Sequence, residues 1–221
     1  MKTLFTAIVR CYVSVLFLCL PFVAKAQQTE SRYTGFEVNF GIKSTKLTSD
    51  LSAISNMEVM EEGGSLGFVM GNDFLKARLQ AVGFYYSSSS VRQTVNMIES
   101  ALMVNLYPIA MLTQKGCALN PYVSGGADYS SMKFFGHYGG TDTQFNFSSS
   151  RAPYVGQVLS TRGTVGAGLE WRLKRDFDFV HLFAEARYSF NVSRDADEVF
   201  AKTQVANTTS VNLGVSFGFL R

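Results

Sequence analysis

The polarity of this chain switches residue by residue over several stretches, most cleanly in residues 207–220, NTTSVNLGVSFGFL. In an extended strand Thr209, Val211, Leu213, Val215, Phe217 and Phe219 share one face, and Thr208, Ser210, Asn212, Gly214, Ser216 and Gly218 share the other. A helix would not sort these residues in this way. Residues 33–43, YTGFEVNFGIK, repeat the pattern with Phe36, Val38, Phe40 and Ile42 opposite Gly35, Glu37, Asn39 and Gly41.

Further strands are predicted over 64–71, 74–87, 94–107, from Pro121 through PYVSGGADYSSM, 158–173 and 179–192, which makes about eight in all. In the third, Lys76, Arg78 and Gln80 oppose Leu75, Ala77, Leu79 and Ala81; in the fourth, Ile98, Leu102, Val104 and Leu106 oppose Glu99 and Asn105. Val165, Ala167, Leu169 and Trp171 oppose Gly166, Gly168, Glu170 and Arg172, and Leu182, Ala184, Ala186 and Tyr188 oppose Glu185 and Arg187. Long loops are expected at 44–63, 133–157 and 193–206, with a tight turn at Asn72-Asp73 and another turn at 174–178. Longer connections then fall at one end of the sheet and shorter ones at the other, and all four prolines lie outside strand interiors.

Alternation alone does not say which face is buried. An eight-stranded barrel has an interior that side chains just fill, so packing in Trp171, Phe217 and Phe219 with the other large residues would overfill it. Glycine on a water-exposed strand face weakens the strand with no packing in return, whereas in a crowded lumen it makes room for Glu170, Arg172, Glu185 and Arg187. Trp171, Phe179, Phe217 and Phe219 gather at the short-turn end, and Tyr85, Tyr129, Tyr188 and Phe190 toward the long-loop end, as two aromatic belts at lipid–water interfaces would. The apolar face is therefore expected to meet lipid. The opposite orientation, a soluble secreted ligand-binding barrel, is the alternative.

The first residues change the meaning of the cysteines and the charge. Lys2 and Arg10 precede an apolar run at 11–23, and Ala24-Lys25-Ala26 provides an A-x-A cleavage site. Residues 1–26 read as a secretory signal peptide rather than an uncleaved anchor, because the run is short and interrupted by Pro21; 27–32 is a polar lead, and 33–221 the barrel. Of the 3 cysteines, Cys11 and Cys19 leave with the signal, so Cys117 has no internal disulfide partner. Leu18 before Cys19 argues against a lipid attachment site. Of the 20 Lys and Arg, Lys2, Arg10 and Lys25 also leave, so the remaining chain balances against its 17 acids and carries no nucleic-acid footprint. The chain contains no Gly-rich phosphate loop, HExxH, CxxC or G-x-S-x-G motif, and no cofactor or metal site is expected.

The signal segment, the alternating strands, PYVSGGADY after a proline-bounded turn and the closing SVNLGVSFGFL resemble the small outer-membrane β-barrel proteins of Gram-negative bacteria, OmpA/OmpX-like and porin-family barrels. The resemblance runs over 33–220 and implies an all-β, eight-stranded antiparallel up-and-down transmembrane β-barrel in the outer membrane. It implies contact with outer-membrane lipid and recognition by the barrel-assembly machinery, with Phe217 and Phe219 as the terminal aromatic insertion signal; Leu220 and Arg221 follow that signal here.

The function expected is non-enzymatic: a barrel with a largely plugged lumen, a charge network of Glu99, Glu170, Arg172, Glu185 and Arg187, and long loops offered to an extracellular or envelope partner. The alternative is an outer-membrane enzyme acting on lipid A or peptides, which needs a base near the outer interface. Only His137 and His181 are available; His137 has Asp142 and Ser148–Ser150 near it in sequence, and His181 has Glu185 four residues on.

Overall fold

The computed structural model describes residues 33–49, 58–87, 94–113, 118–135, 137–138, 145–146, 154–173 and 180–220. The proposed signal peptide, the polar lead and Cys117 lie outside them. Eight long strands follow one another in chain order: β1 (Tyr33–Thr48), β2 (Glu58–Gly71), β3 (Leu75–Ser87), β4 (Thr94–Leu106), β5 (Leu119–Phe135), β8 (Tyr154–Arg172), β9 (Val180–Ala196) and β10 (Gln204–Leu220). A short helix, α1 (Pro108–Thr113), lies between β4 and β5, and a small ribbon of β6 (His137–Tyr138) and β7 (Phe145–Asn146) between β5 and β8. Each long strand pairs antiparallel with its neighbours and β1 closes on β10, from Tyr33 opposite Leu220 to Thr48 opposite Gln204. Closure leaves no open edge, the condition for a sheet to cross lipid.

The apolar face points outward. Phe36, Phe40, Leu66, Phe68, Leu102, Leu169, Leu213 and Phe217 are exposed, Phe40 by 69%, while Glu37, Asn39, Arg78, Glu99, Glu170, Glu185 and Asn212 are buried inside. Trp171 stands 52% exposed at the turn end, and Tyr129, Tyr188 and Phe190 are exposed toward the loop end. The soluble-barrel alternative required the reverse arrangement and is overturned by it.

The strands are longer than the alternation predicts, and the reason is physical. β1 runs on to Thr48, β2 starts at Glu58, β5 reaches Phe135, β8 starts at Tyr154, β9 reaches Ala196 and β10 starts at Gln204. The connections at this end therefore shrink from 44–63, 133–157 and 193–206 to 49–57, 136–153 and 197–203. In these extensions the polarity exchanges sides at most positions, with Met60 still facing out and Glu61 still facing in. Lys46, Thr48, Glu58, Glu62 and Gln204 face out, whereas Leu47, Val59, Met132, Phe134, Val158 and Val205 face in. Strand wall standing in water has no reason to be apolar outside, so the lipid-facing pattern stops where the lipid does.

Smaller corrections follow from local geometry. The connection at 107–118 carries α1 and exceeds 88–93 at the other end, so the length contrast between the two ends is weaker than expected. Pro121 lies within β5; its β4-side ladder begins only at Val123, so on that side no donor is missed. In β3, Gln80 opposes Ala101 and Gly83 opposes Glu99, so the pair Ala81-Val82 contains one residue too many. This bulge shifts the phase of the strand, and Tyr85, expected in the outer aromatic belt, points into the lumen with 1% exposure.

Lumen aromatics sit over glycines of adjacent strands. A Cβ at Gly214 would fall 2.3 Å from the Phe183 ring, and one at Gly218 would fall 1.9 Å from the Tyr33 ring. Glycine at these positions is thus a seat for an inward-facing ring.

Candidate functional site

The chemistry of the molecule is concentrated in the lumen, where side chains from all eight barrel strands converge in layers. At the loop end the core is apolar: Leu47, Val59, Tyr85, Val95, Met97, Met132, Phe134, Val158, Phe200 and Val205 form one buried cluster. Phe200 reaches it from a one-turn 3-10 helix (Glu198–Phe200) and stacks on Phe134 with ring centroids 4.6 Å apart. That turn is tied down by Asp197, whose carboxylate accepts from Tyr154 Oη at 3.0 Å and from the Gln157 amide at 2.9 Å.

Below this cluster the lumen is ionic. Glu99 accepts from Lys43, and from Arg162 Nη2 at 2.6 Å. Arg162 also bonds Asp128 at 2.5 Å and Thr208 at 2.9 Å, and Asp128 accepts in turn from Thr164 and Ser189. Lys43 Nζ lies 3.9 Å from the centroid of the inward-turned Tyr85 ring, which joins this layer to the apolar cluster above.

At the waist, Arg78 spans from Glu37 on β1 to Glu185 on β9, at 2.8 Å to each. Arg187 bonds the same Glu185 at 2.8 Å, Ser124 donates to it at 2.7 Å, and Arg78 lies over the Phe183 ring at 4.4 Å. A third layer near the turn end joins Lys76 to Glu170 at 2.6 Å; Tyr107 donates to Glu170 at 2.6 Å, and His181 Nδ1 lies 3.1 Å from it. His181 stacks on Tyr33 at 4.8 Å, and Tyr33 shares a hydrogen bond with Ser216 at 2.5 Å. Tyr107, Ala110 of α1 and Tyr122 close this end with a second buried apolar cluster.

Of the residues singled out in the sequence, Glu185 and Arg187 are brought together directly. Arg172 lies 4.0 Å from Glu170 but bonds Asp73 in the turn. Glu99 belongs to a separate layer with Lys43 and Arg162. The carboxylate beside His181 is Glu170 of the neighbouring strand, in place of Glu185 on its own. The expected charge network left out Lys43, Lys76, Arg78, Asp128 and Arg162, although the alternation that placed Glu99 and Glu170 inside places these five inside as well. Phe217 faces out at the turn end. His137 is in β6, whereas Asp142 and Ser148–Ser150 lie outside the described residues. Among the described residues, no group of three or more His, Cys, Asp or Glu is arranged to hold a metal ion.

No protein-family model matches the chain, and no curated protein matches it. Among solved structures it is similar to Neisserial surface protein A (NspA), with 14% identity and a TM-score of 0.55, covering 83% of this chain and 97% of that one. Ail, the attachment invasion locus protein of Yersinia pestis, matches at 14% identity and TM-score 0.47 over 86% of this chain and 100% of its own. The outer membrane protein OprG of Pseudomonas aeruginosa matches at 10% and 0.46, over 86% and 96%. Together with the outward apolar face and the closed ring of eight strands, the likeness to NspA identifies the fold as that of the small transmembrane β-barrels of the outer membrane, OmpA/OmpX-like in plan.

Proposed function

We propose that this chain is a non-catalytic outer-membrane barrel whose lumen is plugged by its own side chains and which acts through its loop end. The observation that carries this reading is the interior: apolar clusters at both ends, cross-barrel ion pairs between them, and a mid-lumen cavity of only about 10 Å³. An interior packed in this way has a structural use. Arg78 and Arg162 each tie strands that are not neighbours, so the barrel is braced across its bore as well as around its wall. Glu99, Glu170, Arg172, Glu185 and Arg187 take part in that bracing, and no catalytic or cofactor role is assigned to them.

Residues 1–26 serve in this reading as a cleaved export signal, and Phe217 and Phe219 as the aromatic mark read by the assembly machinery. The connections at 49–57, 136–153 and 197–203 stand on strand walls that rise beyond the lipid belt, which suits them to meet an extracellular or envelope partner. Planar-bilayer recording of the purified protein tests the plug: no steady porin-sized conductance is expected, and a steady open level would overturn the reading. Replacement of His137 is expected to leave lipid A and reporter peptides unaltered, and a lost modification or cleavage would restore the enzymatic alternative.

A further inference from the structure

The ion pairs satisfy most lumen charges, and some of the polar atoms left over meet at one level. The mid-lumen cavity of about 10 Å³ is walled by Glu37, Asn39, Arg78, Gln80, Met103 and Arg187, with Gly67 beside them, from five different strands. Asn39 is 4% exposed and Arg187 9%, and among the described residues neither Asn39 Oδ1 nor Arg187 Nε has a hydrogen-bond partner. Ser65, the register partner of Asn39 on β2, has an unpartnered Oγ as well. A buried acceptor and a buried donor that the protein itself does not satisfy are each costly, and one group that accepts from Arg187 and donates to Asn39 removes both costs.

We propose that this cavity is a binding site for a single water molecule, which accepts a hydrogen bond from Arg187 Nε and donates one to Asn39 Oδ1. The volume is about the minimum that holds one water and too small for two. Charge selects a neutral occupant: Glu37 is already paired with Arg78 and Arg187 with Glu185, so an added ion would lie buried without a counter-charge. The water is a strut. It links β1 to β9 past the intervening β10, at the level where Arg78 also crosses the bore.

The test is a high-resolution crystal structure of the full chain grown from lipid and soaked in bromide. A water-sized peak within hydrogen-bond distance of both atoms, with no bromine anomalous signal, is expected. An empty cavity or a bromide peak would overturn the proposal. The substitution Asn39→Leu keeps the side-chain size and removes the acceptor; it should abolish the peak and lower the thermal midpoint by several degrees, and a persistent peak with an unchanged midpoint would count against the site. In nanodiscs, a cross-peak from a long-lived water to the Arg187 Nε proton is expected of the unsubstituted protein, and its absence would contradict the proposal even if Asn39→Leu fails to fold.

Discussion

The rim and the waist of this barrel are made by the same strands with opposite polarity. Toward the waist β1 turns Phe40 to lipid and Asn39 inward; a few residues higher it turns Lys46 to water and Leu47 inward. The backbone is continuous through the exchange. What changes is the solvent outside, and the lumen changes with it: ion pairs where the wall is in lipid, a mainly apolar cluster where the wall is in water. An ionic interior is therefore no general property of the lumen. It belongs to the part of the wall whose other face is committed to hydrocarbon.

Four substitutions test this contrast. The largest effect is expected from Arg162→Ala beneath the loop-end apolar cluster, which strips partners from Glu99 and Asp128 together. Removing one member of a buried ion-paired group costs about 3–5 kcal/mol, and urea unfolding in detergent should show a loss of about 4 kcal/mol. Phe200→Ala at the rim removes a ring from an apolar cluster and should cost about 3 kcal/mol by the same measurement, with no new conductance in bilayers because Phe134 and the residues around it remain. On the lipid face, Phe40→Arg should destabilise by about 2 kcal/mol, toward the low end for a charge near mid-membrane because Phe40 lies above the centre of the belt. A few residues along the same strand, Lys46→Ala should change stability by less than about 0.5 kcal/mol. If Phe40→Arg and Lys46→Ala prove equally mild, the boundary between lipid and water has been drawn in the wrong place.

The same contrast explains what could be read from the sequence. The lipid-crossing parts of β1, β8, β9 and β10 were legible because a lipid outside and a polar lumen inside impose a strict two-residue period. The rim was not, since the exchange of sides between Ile42 and Leu47 breaks that period, and a broken period reads as a loop. Tyr85 was misplaced by a single extra residue at Ala81-Val82, which only the pairing with β4 reveals. In the lumen, the faces of Glu99, Glu170 and Glu185 could be deduced, but their partners could not. Lys43, Glu99 and Arg162 lie far apart in the chain and meet only because the barrel closes. Periodicity reports which way a side chain points and is silent about what lies across the bore.

The junction of β1 and β10 has one more consequence. Tyr33 rests over Gly218, bonds Ser216 and stacks on His181 of β9, so the earliest barrel residue finds its seat only once the two latest strands are in place. A chain lacking β10 would keep two unclosed edges, with Tyr33 on one strand and His181 on another no longer brought together. The seam that completes the cylinder thus joins the two ends of the barrel sequence through one side chain as well as through the backbone ladder.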